Sequence, residues 1–224
     1  KKQARKKPVL IVCPKSVLDV WVTEANKFAP ELNVKILRNR DEIDLDYYQN
    51  TLDMLVMNYA QLRVCGELLN KIQWLTVILD EGQQIKNPDS KAAKAARELD
   101  AGNRLVLTGT PIENGVRDLW SIFCFIQPGW LGGREDFKDR YETPLAAGES
   151  PGAVIERLRL KISPFILRRT KEQVAPELPS KLFIDEFCDL SPDQQSVYKE
   201  LLVEGRKRVD AIADSGNKGA ARMQ

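Results

Sequence analysis

Residues 74–83 read WLTVILDEGQ, and the fold turns on this stretch. Leu75 to Leu79 is a short, mostly apolar run with the β-branched Thr76, Val77 and Ile78 at its centre, the pattern of a strand in a parallel sheet covered by helices on both faces. It runs straight into two adjacent acids, Asp80 and Glu81. In an open α/β sheet ligands sit beyond the carboxyl ends of the strands, so a strand of this kind carries both carboxylates to the working edge. There Asp80 is suited to hold Mg2+, directly or through water, and Glu81 to orient or deprotonate an attacking water. An Asp-Glu pair taken alone is as readily a strand running into an acidic turn.

Working outward, the same grammar repeats. Val9 to Cys13 is a β-branched run stopped by Pro14, and from Ser16 to about Phe28 the residues Val17, Val20, Trp21 and Phe28 recur at helical spacing, with Ser16 as the expected N-cap. A short strand is expected at Val34 to Leu37, another at Met54 to Met57, and a helix from about Ala60 to Leu69. Ser90 to Leu99 is an Ala-rich helix, and Leu105 to Leu107 reads as a further buried strand, ending in the compact hydroxyl turn Thr108-Gly109-Thr110-Pro111. Hydroxyls at a neighbouring strand tip can bond the acidic pair and report the presence of a terminal phosphate. About five parallel strands are therefore expected.

After Pro111 the pattern turns helical. Helices are expected at Val116 to Ile126, near Asp136 to Tyr141 and at Ala153 to Ile162, with Glu142 to Gly152 as a surface loop. Thr170-x-x-Gln173 is a capping box, Leu182 to Leu190 alternates like a strand, and Ser191-Pro192-Asp193-Gln194 opens a final helix. A domain boundary is expected in this passage.

Composition narrows the chemistry. The chain has 224 residues, with 34 Lys and Arg against 32 Asp and Glu, and no His. Without imidazole there is no Ser-His-Asp or Cys-His nucleophile and no His-rich zinc site, so proton transfer falls to carboxylates, Lys, Tyr or Cys. A net charge of +2 neither announces nor excludes a nucleic-acid partner. Cys13, Cys65, Cys124 and Cys188 lie far apart with no C-x-x-C pair, and are expected to be reduced and mostly buried. No apolar run reaches the roughly 18 to 20 residues that cross a bilayer. The basic clusters Lys1 to Lys7 and Arg206-Lys207-Arg208 are expected to be solvated faces first and DNA contacts second.

Five passages, PVLIVCPKSVLDVWVTEANKFAP (8–30), MNYAQL (57–62), WLTVILDEGQQIKNPDSK (74–91), RLVLTGTPIENGVRDLWSIFCFIQPGWL (104–131) and PFILRRTKEQVAPELPSK (164–181), occur in one order. Their combination resembles the first motor lobe of a Swi/Snf-type ATPase, a branch of helicase superfamily two that translocates on duplex DNA. The resemblance covers about residues 8–190. It implies a three-layer, RecA-like P-loop NTPase lobe with a mainly parallel sheet over residues 1–163, including a helical region at about 116–163. An inter-lobe segment over 164–224 would lead to a second RecA-like lobe. By the same resemblance Asp80, Glu81 and Gln83 belong to the DExx box, with Asp80 the Mg2+ ligand, and Thr108, Gly109 and Thr110 to the coupling motif. Gln83 stands where many eukaryotic relatives carry His, a weak pointer to a bacterial source. Pro14, Lys15, Ser16 and Trp21 match the motif facing nucleic-acid phosphates, Asn58 and Tyr59 resemble the next strand-tip motif, and Lys86 and Asn87 extend the DExx passage; Lys15, Ser16, Asn58, Tyr59 and Lys86 are the implied DNA contacts. Arg168 and Arg169 resemble the basic pair at the hinge.

For Lys15, Ser16 and Lys86 the functional reading is contact with duplex phosphates, which position a protein without reading bases; the plain alternative is solvated charge. Arg168 and Arg169 read better as structural or hinge residues, and Trp21 better as core than as a stacking platform. The resemblance implies ATP and Mg2+ as cofactors, duplex DNA as partner and, beyond it, a DNA-bound obstacle such as a nucleosome or RNA polymerase. The setting would be nucleoid-associated cytoplasm in a bacterium or the nucleus in a eukaryote. Nothing of the form G-x-x-x-x-G-K-[ST] occurs among the thirteen glycines. In the family that loop precedes the passage matching Pro8, so the chain is expected to be a fragment beginning after it, with weak ATP binding and negligible hydrolysis by itself. Two other readings stay open at this point: a degenerate, non-hydrolysing platform for DNA or protein, and an unrelated metal-dependent phosphohydrolase recruiting Asp89 or Glu113.

Overall fold

The structure, a computed structural model, describes residues 7–110, 115–148, 150–179, 182–184 and 186–214. The basic start before Lys7, together with Pro111, Glu113 and Lys181, lies outside these residues. Two compact units divide between Leu167 and Arg168.

The first unit is built on five strands: β1 (Val9–Cys13), β2 (Val34–Ile36), β3 (Met54–Asn58), β4 (Trp74–Asp80) and β5 (Ala101–Leu107). Their order across the sheet is β2-β3-β1-β4-β5, and every pairing is parallel. Parallel neighbours need crossovers, and the intervening helices supply them. These are α1 (Leu18–Phe28), α2 (Leu45–Asn50), α3 (Tyr59–Leu69) and α4 (Lys91–Glu98), followed by α5 (Val116–Ile126) after the last strand. One face of the sheet, with Leu10, Val12, Leu55, Met57, Val77 and Leu79, is buried against α3, α4 and the end of α5. The other, with Ile11, Cys13, Met54 and Val56, packs against Leu18, Trp21, Val22 and Ala25 of α1.

Several expectations change in detail. Ser16 does not cap α1; it lies in a 3-10 turn (Lys15–Val17), and Val17 is the residue before the helix, with no side-chain cap bond. The stripe of α1 packed on the sheet is buried Leu18 with half-buried Trp21, Val22 and Ala25, so Val20 and Phe28, expected on the apolar face, are 54% and 74% exposed. By contrast Asn58 caps α3 in a capping box with Gln61, and Ser90 caps α4 by accepting from Ala93 N–H at 3.2 Å. β5 is not buried: it forms the sheet edge, and Leu105 and Leu107 are about half exposed. The inward face of β5 is held by Arg104, whose guanidinium donates to Phe125 O at 3.1 Å and Leu99 O at 2.8 Å. It thereby satisfies carbonyls at the ends of α5 and α4 and complements their dipoles.

The helical continuation comprises α6 (Arg134–Phe137), a π turn (Lys138–Glu142), α7 (Thr143–Ala147) and α8 (Pro151–Ile162). It closes a second core on α5 through Leu119, Phe123, Leu131, Phe137, Tyr141, Val154 and Leu158. The expected loop at 142–152 is helical over α7, because Pro144 falls in the first turn, where its missing N–H costs nothing. Arg134 and Glu142 make a two-pronged ion pair across this segment, at 2.8 and 2.7 Å.

In the second unit, α9 (Lys171–Val174) starts with Gln173 accepting from Thr170 N–H at 2.9 Å. The helix α10 (Pro192–Asp214) starts with Ser191 and Gln194 bonded to each other's backbone N–H groups, as their spacing predicts. The expected strand at 182–190 is absent among the described residues there. Leu182, Phe183, Ile184 and Phe187 are 72% to 96% exposed, and alternation specifies a strand only where a partner edge accepts it. Cys188 is likewise exposed, Cys124 half-buried, and Cys13 and Cys65 buried; all four are free thiols.

Candidate active site

Parallel pairing brings the strand ends to one rim. Cys13 lies beside Asn58, Val12 beside Leu79, and Asp80 beside Leu107. Lys15, Tyr59, Asp80, Glu81 and Thr108 therefore leave the sheet at the same edge.

At that rim the acid pair is bound into a network. Asp80 accepts through Oδ1 from Glu81 N–H at 2.9 Å and through Oδ2 from the Trp21 indole N–H at 3.0 Å; its main-chain oxygen accepts from the Tyr59 hydroxyl at 2.8 Å. Glu81 is exposed, and its backbone is left-handed, at φ 51° and ψ 52°. For a non-glycine residue this conformation costs on the order of 1 kcal/mol, and such residues concentrate at working sites. It turns the chain sharply off β4 into a 3-10 turn, Gly82–Ile85.

Gln83 in that turn donates through Nε2 to Glu81 Oε2 at 2.8 Å, and its Oε1 accepts from the Thr108 hydroxyl at 2.8 Å. An ionised carboxylate only accepts, so the amide nitrogen must face Glu81 and its oxygen the threonine. Thr108 in turn accepts from Thr110 N–H at 3.1 Å, closing the turn at Gly109. Residues 80, 81, 83, 108 and 110 thus form one connected cluster across two neighbouring strands.

Gly82 sits tight beneath it: a methyl group there would fall 2.1 Å from Val106 Cγ1. Ser121, buried in α5, donates to Ile85 O at 2.6 Å and pins the far end of the turn. Neither contact is signalled beyond a lone serine in the apolar run WSIFCFI.

The residues expected to face nucleic acid divide. Lys15 and Ser16 are exposed beside the rim. Asn58 is occupied in capping α3, accepting from Ala60 and Gln61 N–H. Tyr59 is half-buried, and burial together with the nearby Asp80 charge pushes its phenol well above the ordinary tyrosine range. It therefore works as a neutral donor to Asp80. Lys86 is half-buried and already engaged within the fold. Arg168 and Arg169 are exposed at the boundary between the two units. Burial, with Asp80 adding to it, pushes the Cys13 thiol up to about 12, so it is no nucleophile near neutrality.

Asp80 supplies one partly exposed carboxylate with an acceptor position left on each oxygen. That suits Mg2+, which keeps several waters and takes one or two carboxylates plus phosphate oxygens. Among the described residues no group of three or more His, Cys, Asp or Glu could enclose a metal, and Asp89 is paired with Arg117 at 3.3 Å. Glu113, the other acid considered for a phosphohydrolase site, is outside the described residues.

An all-parallel α/β lobe whose strand tips join an acidic pair to a threonine turn is the architecture of a RecA-like motor lobe. The SNF2-related domain family model matches residues 1–223, and the chain belongs to that family. It is 35% identical to TATA-binding protein-associated factor BTAF1 of Arabidopsis thaliana over 96% of this chain and 12% of the relative. It is 39% identical to the putative ATP-dependent helicase/translocase YwqA of Bacillus subtilis over 88% of this chain and 22% of the relative. The chain thus spans a minor part of these relatives' length. Among solved structures, the SWI2/SNF2 ATPase core of Sulfolobus solfataricus in complex with dsDNA superposes with a TM-score of 0.68 at 39% identity, covering 92% of this chain and 43% of that one. The fold is that of the RecA-like lobe of that core. No helix of the described residues is long and apolar enough to cross a membrane.

Proposed function

We propose that this chain is the acid-box portion of the first motor lobe of an ATP-driven translocase on double-stranded DNA, working with a second RecA-like lobe. The observation that supports this most is the hydrogen-bonded line from Thr108 through Gln83 to Glu81. It joins the residue that would act on water to the turn that would register the nucleotide's state. Asp80 would hold Mg2+, which when bound would supply positive charge to offset the phosphate charge. Glu81 would orient the attacking water and take up its proton. Gln83 cannot titrate, so the Glu81–Thr108 link works unchanged across neutral pH. Lys15 and Ser16 would bind duplex phosphates, giving affinity without sequence preference and a strong dependence on salt. Arg168 and Arg169 would serve the hinge between lobes. The obstacle moved would be a DNA-bound protein, such as RNA polymerase or a nucleosome, on bacterial nucleoid or nuclear DNA.

The sequence holds no glycine-rich Lys-Ser/Thr loop to cradle the β- and γ-phosphates, so ATP binding by this polypeptide alone should be weak and hydrolysis negligible. In the full-length protein, duplex DNA should stimulate ATP hydrolysis, and Glu81→Gln should abolish turnover while nucleotide binding persists. Turnover by the isolated chain that Glu81→Gln removes would refute the first expectation. Wild-type turnover by the full-length Glu81→Gln protein would refute the role given to Glu81, whereas a full-length protein showing no DNA-stimulated hydrolysis would favour a non-hydrolysing binding platform.

A further inference from the structure

We propose that Trp21 is a positioning residue for Asp80, fixing the plane of its carboxylate; this rests on the reading of Asp80 as the acid that meets Mg2+. The terminal torsion of an aspartate is soft, so one bonded oxygen does not fix the orientation of the group. The bond from Glu81 N–H to Oδ1 is local, made by the next residue in the chain. The second anchor comes from 59 residues away: the Trp21 indole N–H reaches Oδ2 at 3.0 Å. With both oxygens held by donors from separate elements, the carboxylate has one orientation, and one acceptor position remains on each oxygen.

Packing alone does not ask for an indole here. The other side chains between α1 and the sheet are almost all aliphatic: Leu18 is buried and Val22 and Ala25, like Trp21, are half-buried against it. Trp21 is only half-buried, and its N–H, which can donate but never accept, points at an anionic acceptor. Tyr59 completes the arrangement by bonding the main-chain oxygen of the same residue, so the end of β4 is gripped from α1 on one side and α3 on the other.

The decisive variant is Trp21→Phe, which keeps an aromatic ring and removes the donor. In the chain itself, the indole proton–nitrogen resonance that Trp21→Phe deletes should lie downfield, as a hydrogen-bonded group. Asp80→Ala should move that resonance upfield to the position of solvated indoles. In the full-length protein, Trp21→Phe should lower kcat about tenfold, leave the KM for ATP within about twofold, and leave the thermal midpoint nearly unchanged. Leu18→Ala, which empties buried packing one turn away, should do the reverse: a lower midpoint with kcat per folded molecule preserved. An indole resonance indifferent to Asp80→Ala, or a Trp21→Phe enzyme with wild-type kcat, overturns the inference. Asp80→Asn serves as the reference. If it leaves hydrolysis intact, the function assigned to Asp80 is wrong; if it abolishes hydrolysis while Trp21→Phe does nothing, only the role of Trp21 fails.

Discussion

Replacing Gly82 by alanine should unsettle both the fold and the acid cluster, through a contact that can be measured. The new Cβ would fall 2.1 Å from Cγ1 and 3.4 Å from Cβ of Val106, and 3.7 Å from Leu107 O. Carbons pack at about 3.5–4.0 Å, so something must move by more than 1 Å. Val106 is β-branched and stiff at its first torsion, so rotating one methyl away brings the other in. The turn or strand β5 must shift instead, at a cost of about 1–3 kcal/mol. Because Gly82 lies between Glu81 and Gln83, that shift also strains the Gln83 bridge, adding about 1 kcal/mol. A total of about 2–4 kcal/mol, at a urea slope near 2 kcal/mol per M, lowers the unfolding midpoint by about 1–2 M. Equilibrium urea unfolding, followed by tryptophan fluorescence, reads this directly. Val106→Ala removes the obstructing methyl, so the double variant should recover at least half of the loss. A Gly82→Ala midpoint within error of wild type, or a second substitution that simply adds its own cost, would refute the packing argument.

Arg104→Met should cost about 2–3 kcal/mol, because two helix-end carbonyls lose their donor, and calorimetry should show it as a lower melting temperature. Thr108→Val keeps the shape of the side chain but leaves the Gln83 carbonyl without its hydroxyl; urea unfolding should register a loss of about 1–2 kcal/mol, larger than at exposed Thr110. Stability should also fall at alkaline pH. Burial pushes Cys13 from 9.0 and Tyr48 from 10.0 up to about 12, so above pH 9 the unfolded chain releases protons that the native state keeps. The unfolding free energy then declines by up to about 1.4 kcal/mol per pH unit for each group, from its unfolded value up to about pH 12. Unfolding midpoints measured across that range should fall, and less steeply in Cys13→Ala; a flat profile would count against both burials.

The sheet was legible because β1, β4 and the end of β5 are compact runs with a stop beside each: Pro14 after β1, the acid pair closing β4, Thr108 after β5. Local chemistry was equally readable at Thr170 and Ser191, where a cap acts within three residues. What escaped was set by distant partners. The phase of α1 slipped because Val20 and Phe28 are apolar yet solvated, and only the sheet below decides which stripe is buried. The hydrophobic alternation of 182–190 met no edge to pair with. At the candidate site the acids and the threonine turn announced themselves, whereas the bonds from Trp21 and Tyr59 to Asp80 span 59 and 21 residues and leave no local trace. Asn58 shows the converse: a residue matched to a nucleic-acid motif is spent on starting a helix.

The left-handed backbone at Glu81 has a consequence for anyone improving this protein. A search for thermostabilising substitutions would nominate glycine at this position, since it relieves about 1 kcal/mol of conformational cost at a solvent-facing side chain with one neighbour. The resulting variant would melt later and carry no carboxylate where the water is meant to be engaged. Under the role proposed for Glu81, selection for heat resistance and selection for turnover pull in opposite directions at this residue, so a library scored on folding alone would lose the carboxylate while reporting success.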